Sequence, residues 1–476
     1  MKREFLLNIL FLVVVNVLIK PFFIFGIDRN VQNLVGFDDY GVYFSLLNLT
    51  YITQILSDFG IQNYNNRNIS QHSHLLEKYF PSLLALKSLL AIVYIIITFL
   101  IAFLCGYPPH YYPLLSVLIA NQLLMSLVFF LRSNISGLGY YRIDSLLSVL
   151  DKLLMTVLFV VLLFHPASRP HFNLMWFACG QTAALLVTAI ISGLLVFRKL
   201  RWWRAKLNVP LLLLMLRDSL PYAMVVLLMY AYTRTDAILL ERMLPDGKQQ
   251  SGIYAAAFRL LDAINMVSYL FATLLLPMFS RLLKSREPIE PLLSLSYRII
   301  MTGGLATAVT VIAYRYPIMQ LLYTEDTHTA ANALAWLMGS FLAFCTFFVY
   351  GTLLTANNAQ RRMNRIFVVG IIINVGLNIL IIPYYKAVGT AAVSCITQIV
   401  MTGSLVVLAH RTMHLRLHYR NIAKFVIFTA LLAASATILT HTAILWPLQI
   451  ALLAILAVIL TFTFRLVNIA ELQQIK

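Results

Sequence analysis

Fourteen long apolar segments follow one another along almost the whole chain and leave little sequence for anything else. Each holds roughly 20 mainly apolar residues, the length that an α-helix needs to cross about 30 Å of hydrocarbon. Because lipid offers no water to satisfy an irregular backbone, the sequence predicts an all-α polytopic membrane protein. The predicted spans are approximately 5–26, 41–61, 80–105, 111–131, 144–164, 172–197, 218–240, 253–279, 296–322, 332–356, 366–383, 388–409, 423–440 and 444–464.

The composition agrees with a chain embedded in lipid. Of the 476 residues, 61% are hydrophobic and 11% are charged, whereas soluble domains carry about 25% charged residues. The longest connections, near 62–79, 198–217 and 280–295, leave no room for a soluble catalytic domain. The sequence has no Gly-rich phosphate loop, no His-Glu-x-x-His and no metal-ligand spacing among its four cysteines. We therefore expect a transporter rather than an enzyme, with no cofactor and no bound metal.

The distribution of basic residues predicts the orientation in the membrane. The 36 lysines and arginines outnumber the 18 acidic residues, an excess that would suggest nucleic acid in a soluble protein but here follows topology. Taking connections alternately, 25 basic residues fall on one side and 5 on the other. Because cytoplasmic loops retain basic residues, both termini are predicted to be cytoplasmic, and we expect no nucleic-acid partner. The other 6 lie within or at the rim of spans: Lys20, Lys87, Lys152, Arg234, Arg259 and Arg315.

A basic segment divides the spans into two sets. The stretch RKLRWWRAKLNVPLLLLMLR at 198–217 has the clustered cations and tryptophans of an interfacial helix. Gly41 and Tyr43 follow the first span as Gly252 and Tyr254 follow the seventh, an offset of 211 residues. Two parallel repeats are typical of transporters with a cavity between two lobes. We predict an N-lobe at 1–200 with six spans, a basic linker helix at 201–217, a C-lobe at 218–410 with six spans, and two more spans at 411–476.

Three blocks of sequence resemble one transporter family. YTRTDAILLERMLPDGKQQSGIYAAAFRLLDAINMVSYLFATLLLPMFSRL (232–282) is similar to the seventh and eighth helices of polysaccharide exporters in the multidrug/oligosaccharidyl-lipid/polysaccharide (MOP) superfamily, through Asp236, Gly252, Tyr254, Ala257 and Arg259. YRYPIMQLLYTEDTHTAANAL (314–334) resembles the exit of the ninth helix. NVGLNILIIPYYKAVGTAAVSC (374–395) resembles a family stretch through Asn374, Asn378, Pro383, Gly389 and Ala392. The likeness covers most of 218–410 and, more weakly, 5–200.

The resemblance implies a flippase of the Wzx type in a bacterial inner membrane. Such a protein moves an undecaprenyl-pyrophosphate-linked oligosaccharide, a repeat unit of O-antigen, capsule or exopolysaccharide, to the periplasmic leaflet by alternating access. Some members, such as the lipid II flippase MurJ, add two C-terminal helices to the two six-helix lobes, in agreement with fourteen spans. The implied partners are the lipid-linked oligosaccharide, membrane lipids, a polysaccharide polymerase and glycosyltransferases. Few glycines at 44–56 and a strongly basic 361–365 depart from the family pattern and leave the substrate open.

A diphosphate substrate requires cations that face a water-filled cavity, and charges inside spans are the candidates because they are costly elsewhere. Lys20 interrupts VVVNVLIKPFFIFG beside Pro21, and Asn16 lies one turn earlier on the same helical face. Snorkelling of Lys20 toward periplasmic water is the other interpretation. The predicted substrate-binding residues are Lys20, Asn16, Arg259, Arg234, Gln54 and Lys152. For Arg259, a local ion pair with Asp262 is an alternative.

Acidic residues within the spans are candidates for binding the coupling ion. Thr50, Gln54 and Asp58 recur at four-residue spacing, which predicts one polar stripe on the second span. The stripe suits either sugar hydroxyls or helix packing, and Asp58 is one coupling candidate. Asp236 is the other, through the resemblance, with a structural ion pair as its alternative.

Three further groups of polar residues have two interpretations each. Asp151 and Lys152 are adjacent in the fifth span and need not pair, so either could line the cavity. The stripe Gly370, Asn374 and Asn378 in the eleventh span favours helix packing, because its glycine is small. Arg361, Arg362 and Arg365 form a basic cluster that either recruits a phosphorylated lipid head or follows the bias of cytoplasmic loops.

Three other functions compete with the Wzx-type flippase. A lipid II flippase would share the fold and the fourteen helices. A multidrug antiporter of the related MATE branch is favoured by Asp58 and Asp236 but disfavoured by Lys20 and the two extra spans. A membrane-embedded glycan polymerase or ligase would be expected to carry a large periplasmic loop, which this sequence lacks.

Overall fold

The computed structural model describes residues 15, 16, 18–62, 65, 69, 75–199, 209–415 and 419–467. This part of the chain is helical almost throughout and contains no β-strand. Its α-helices are α1 Arg29–Thr53, α2 Leu75–Leu104, α3 Tyr112–Gly137, α4 Tyr141–Phe164, α5 Leu174–Phe197, α6 Val209–Met243, α7 Gly247–Ser285, α8 Glu290–Ala313, α9 Arg315–Leu322, α10 Thr327–Ala356, α11 Gln360–Met413, α12 Tyr419–Thr440 and α13 Trp446–Thr463. The start of the first predicted span and the first eight residues of the predicted linker helix, 201–208, lie outside the described residues.

Eleven helices within the described ranges are long and apolar enough to cross a membrane. The longest, α11, contains two predicted spans, 366–383 and 388–409, which meet at Lys386, where a φ of 48° breaks the helical path. The predicted spans 5–26 and 41–61 are not among the eleven. The first is described only from residue 15, and the second is interrupted. The prediction of an all-α polytopic membrane protein with about fourteen helices is confirmed.

The helix that carries Lys20 changes its winding just after Pro21. Residues 18–23 are α-helical, and Ile24–Asp28 form a π-helix in which the Arg29 N–H donates to the Ile24 carbonyl. Proline has no N–H to donate, and its ring crowds the preceding turn. Single π turns inside helices are frequent at functional sites. We call residues 18–28 the N-terminal segment.

The second predicted span is not one continuous α-helix. After α1 ends at Thr53, a 3-10 helix occupies Gln54–Ser57 and a turn follows at 58–60. Because a 3-10 helix has 3.0 rather than 3.6 residues per turn, the four-residue spacing no longer keeps Thr50, Gln54 and Asp58 on one face. The predicted polar stripe is therefore wrong in its geometry. Thr50 instead donates to the carbonyl of Leu47 at 2.7 Å, within α1.

The chain divides into two compact units, Met1–Gly252 and Ile253–Lys476, with the boundary inside α7. In the first unit, an apolar core forms where α2, α3 and α4 meet, and the rings of Phe80 and Phe130 stack there at 5.5 Å. In the second unit, α12 and α13 pack on α8 through a core that includes Leu305, Phe428 and Leu453. The predicted limits of the two lobes stay a prediction.

The two glycines of the predicted repeat pack closely within the first unit. A Cβ atom on Gly41 would overlap the Lys248 carbonyl oxygen, and one on Gly252 would overlap the Phe37 carbonyl oxygen. Ser251 Oγ donates to the Gly41 carbonyl at 3.1 Å, and Gln32 Nε2 donates to the Gly252 carbonyl at 2.9 Å. The absent side chains therefore allow the backbone of α1 to touch the start of α7, the contact that small residues provide between membrane helices.

We predict that Gly41→Ala destabilises the protein, because the new methyl group has no space. Overpacking typically costs about 1–3 kcal/mol. Gly303→Ala is the matched control, because Gly303 lies in α8 with nothing within 4 Å of its would-be Cβ, and alanine is the better helix former by about 1 kcal/mol. Thermal unfolding followed by size-exclusion chromatography should show a lower midpoint for Gly41→Ala alone. Equal midpoints for the two variants would contradict the close contact.

Candidate functional site

Asn16 and Lys20 face α4 within the first unit. Asn16 is 3% exposed, and its Nδ2 donates to Ser148 Oγ at 3.0 Å. One turn later, Lys20 is half-buried within electrostatic range of Asp151 and Lys152. The structure thus brings together Asn16, Lys20 and Lys152, three of the predicted substrate-binding residues, on two facing helices.

The charges at this site do not balance. Lys152 Nζ lies 3.4 Å from Asp151 Oδ2, and Arg132 Nε of α3 lies 2.8 Å from Asp144 Oδ1. Arg132 is also in electrostatic range of Lys20. Lys20 itself forms no ion pair with a described residue. Among the described groups, three cations therefore share two carboxylates, and the cluster around Lys20 carries one net positive charge.

The local sequence explains why these groups share one face. Asp144, Ser148 and Asp151 are spaced by four and three residues on α4, which places them on the same side of that helix. The ring of Phe23 lies 4.9 Å from Lys152 Nζ and covers part of that ammonium. The site can offer an anion one net positive charge, whereas the Ser148 hydroxyl already donates to the Ser145 carbonyl at 2.6 Å and accepts from Asn16. We call Asn16, Lys20, Ser148, Asp151 and Lys152 the Lys20 site.

Arg234 lies at a different position in the first unit, against α1. Its Nη1 is 3.5 Å from Asn48 Oδ1, and its guanidinium group lies 5.5 Å from the ring of Tyr51. Tyr230, one turn earlier on α6, has its ring 6.4 Å from that of Tyr51. These groups form a polar and aromatic surface whose role in substrate binding stays a prediction.

Asp58, predicted to bind the coupling ion, is engaged by a lysine that sequence reasoning left without a role. Lys87 Nζ of α2 lies 2.5 Å from Asp58 Oδ1 and 2.8 Å from Ser126 Oγ of α3, and the ring of Phe130 is 5.7 Å away. The side chain of Lys87 is 6% exposed and that of Asp58 is 13% exposed. A buried charge pair with a further hydrogen bond is an arrangement that a low-dielectric interior tolerates. The signal was available, because Lys87 is a single cation within an apolar run.

The other predicted residues are not part of the Lys20 site as described. Gln54 begins the 3-10 helix after α1 and is half-buried, and Asp236 is 1% exposed on α6. Arg259 belongs to the second unit, half-buried on α7 and three residues before Asp262. Substrate contact by Gln54 and Arg259 stays a prediction, as does ion coupling through Asp236.

Within the second unit, the asparagines of the eleventh span are buried between packed helices. Asn374 and Asn378 are fully buried, and Asn378 Nδ2 donates to Asn374 Oδ1 at 3.3 Å. A Cβ atom on Gly370 would overlap the side chain of Met401. Both features are those of helix packing, the interpretation that the small glycine favours.

The basic cluster of the second unit borders a cavity of about 310 Å³. Arg361 and Arg362 line it at the start of α11, and Arg362 Nη1 donates to Thr412 Oγ1 at 3.3 Å near the end of the same helix. Arg365 is exposed one turn later. No described group of three or more histidines, cysteines or carboxylates could hold a metal ion.

The sequence and the fold have known counterparts. The sequence profile of the family described as "Polysaccharide biosynthesis protein" matches residues 5–283. The structure is similar to that of the lipid II flippase MurJ in an inward closed conformation, with a TM-score of 0.71, 12% identity and coverage of 97% of this chain and 99% of that chain. Comparison with curated proteins finds no match.

Two further solved structures share the fold. A mutant form of the Vibrio cholerae MATE transporter VcmN has a TM-score of 0.60 and 14% identity, with coverage of 86% of this chain and 95% of that chain. A MOP superfamily transporter from Pyrococcus furiosus Vc1, whose binding pocket is described as having reverse polarity, has a TM-score of 0.59, 14% identity and the same coverage of both chains. At these identities the likeness establishes the fold.

We predict that Lys87 and Asp58 depend on each other for stability. Lys87→Met or Asp58→Asn alone leaves one buried group without its charge partner, which typically costs about 3–5 kcal/mol. The double variant removes both charges and should be more stable than Lys87→Met alone. Thermal unfolding of the four proteins measures this coupling, with Lys284→Met, at an exposed position, as the control. Additive losses in the double variant would show that the pair is not coupled.

Proposed function

Because the chain belongs to the polysaccharide biosynthesis protein family, we propose that it is a flippase that moves a lipid-linked oligosaccharide across a bacterial inner membrane by alternating access. The observation that carries this proposal is the net positive charge around Lys20, where Lys20, Lys152 and Arg132 share two described carboxylates, Asp144 and Asp151. A charge inside a predicted span is costly unless it reaches water or serves an anionic ligand, and the net positive charge around Lys20 favours the ligand.

The chemistry of the Lys20 site suits a diphosphate. A lysine binds phosphate as a compact point charge, and Lys152 lies nearby as a second cation that can exchange its bond to Asp151 for a phosphate oxygen. Asn16 adds a neutral amide, which Ser148 holds in place by accepting a hydrogen bond from its Nδ2 at 3.0 Å. The amount of positive charge is small, which suits a site that must also release its ligand on the other side.

The undecaprenyl-pyrophosphate-linked repeat unit of a surface polysaccharide is the substrate that we propose. Its sugars would meet the surface formed by Asn48, Tyr51 and Arg234, where an amide, an arginine and an aromatic ring lie together. Glycosyltransferases would supply such a substrate, and a polymerase would consume it. Both termini would lie in the cytoplasm, as the distribution of basic residues predicts.

A drug antiporter is the weaker alternative, because one of its two candidate acids in the first unit is already paired. An antiporter for cations would use buried acids to hold its substrate, but Asp58 already binds the ammonium of Lys87 at 2.5 Å. Asp236 remains the better proposed coupling residue, because it is a fully buried acid on α6. A lipid II flippase would use the same diphosphate chemistry, so complementation in cells must distinguish it from an oligosaccharide flippase.

We predict that Lys20→Ala lowers the translocation of a lipid-linked oligosaccharide into liposomes by about tenfold, the effect of losing roughly 1.4 kcal/mol from a charge-assisted contact. Lys20→Arg should retain most of the activity because it keeps the charge. Lys284→Ala, at an exposed position, is the matched control. Normal transport by the double variant Lys20→Ala/Arg259→Ala would contradict the proposed anion site.

Cells distinguish the candidate substrates. In a strain without its own oligosaccharide flippase, the chain should restore surface polysaccharide, and in a strain depleted of its lipid II flippase it should fail to restore growth. Growth restored in the second strain alone would replace our proposal with a lipid II flippase. If cells export a cationic dye and lose that export when the gene is deleted, the antiporter would be favoured.

A further inference from the structure

The end of α6 is clasped to the connection between α2 and α3 by one arginine. Arg242 Nε donates to the Cys105 carbonyl at 3.1 Å, and its Nη2 donates to the Gly106 carbonyl at 2.7 Å. The same guanidinium group lies 4.9 Å from the ring of Tyr107. We call Arg242 with Cys105, Gly106 and Tyr107 the α6 clasp. It lies wholly within the first unit, at the end of α6 opposite to the basic 198–217 segment.

A buried acid lies directly beside the clasp. The side chain of Glu241 is 1% exposed, and its Oε1 is 3.5 Å from Arg242 Nη1. Its Oε2 is buried and has no hydrogen-bond partner among the described residues. The turn that follows is tight, because a Cβ atom on Gly247 would overlap the carbonyl oxygens of Leu240 and Glu241. The carboxyl group is therefore held inside the first unit between the guanidinium group of Arg242 and the hydroxyl group of Tyr107.

Every element packed around Glu241 contributes groups that determine its charge. Arg242 on α6 and Lys248 on α7 are cations that favour the ionised form, and Tyr107 of the α2–α3 connection faces the carboxyl group. Tyr107 also shares a hydrogen bond of 2.6 Å with Ser45 of α1. Cys105 is in range of Glu241, and Lys248 is also in range of Asp38 and Tyr111. Two cations thus oppose the cost of burial, which favours the neutral acid.

We propose that Glu241 is a proton-binding site that controls the α6 clasp. In the ionised state, its negative charge holds the guanidinium of Arg242 over the two carbonyls and the ring of Tyr107. When a proton from water at this end of the helix binds the carboxylate, Arg242 loses its charged partner and keeps only neutral ones. The attraction of the Glu241 carboxylate for Arg242 and Lys248 is then lost, and the clasp opens. Loss of the proton restores it.

This site is separate from the Lys20 site and does not depend on the identity of the substrate. Sequence reasoning missed it because a Glu-Arg pair at the end of a span looks like an ordinary interfacial pair. Only the burial of Glu241, next to an exposed Arg242, distinguishes it. Since this end of α6 is predicted to be periplasmic, the proton would come from outside the cell.

Spin labels on the full-length protein in lipid nanodiscs test the proposal. One label replaces His110, on the α2–α3 connection, and the other replaces Pro245, on the turn after α6; both positions are exposed. The four native cysteines are replaced by serine or alanine. Electron spin resonance measures the distance between the labels at about pH 5 and about pH 8, on either side of neutrality. The labels are attached beforehand, so thiol chemistry does not depend on the pH of the measurement.

We expect the population with separated labels to be roughly threefold to fivefold larger at the lower pH, the factor expected for losing a partly exposed ion pair. Glu241→Gln should show the larger population at both pH values, and Arg242→Gln should show it too because the clasp is absent. Glu287→Gln, at an exposed position on the α7–α8 connection, should behave as the wild type. Unchanged distances in the wild type, or a wild-type pH response in Glu241→Gln, would overturn the proposal.

Discussion

A charge inside a membrane must find a partner, and this constraint organises the first unit. Lys87 binds Asp58 and Ser126 across three consecutive segments of the chain, so one buried ammonium helps to hold the 3-10 turn after α1 against α2 and α3. Lys152 and Asp151 form an ion pair at the Lys20 site. Because the cost of an unpaired charge exceeds that of most packing defects, these pairs restrict how the helices can be arranged.

The places where this pairing is incomplete are those to which we assign function. Lys20, Lys152 and Arg132 share two described carboxylates, and Glu241 is a buried acid 3.5 Å from Arg242. An anionic ligand can neutralise the positive charge around Lys20, and a proton can neutralise the carboxylate of Glu241. Both are in the first unit, but they have opposite charge, which separates a site for an anionic substrate from a site that responds to pH.

Part of the candidate site could be predicted from residue types and helical spacing. Asn16 and Lys20 lie one turn apart, and both face α4, as a shared helical face requires. The stripe from Thr50 to Asp58 failed because it assumed that 41–61 is one α-helix, whereas the chain changes to a 3-10 helix at Gln54. Periodicity locates a face only while the helix type stays constant. No pattern in one segment could have paired Asp58 with Lys87, 29 residues away.

The sequence by itself determined that the chain is a set of membrane-spanning helices, roughly where most of them lie, and which charges lie within or near them; it did not predict that α8 ends at Ala313, inside the predicted span 296–322. Those properties follow from local hydropathy, because each span must satisfy its own backbone hydrogen bonds in lipid. Only the tertiary structure decided which charges are neutralised. Asp58 is engaged by Lys87, Lys20 shares Asp151 with Lys152, and Glu241 is buried while Arg242 beside it is not. A side chain's partners come from other helices, so its electrostatic environment exists only after the helices have packed.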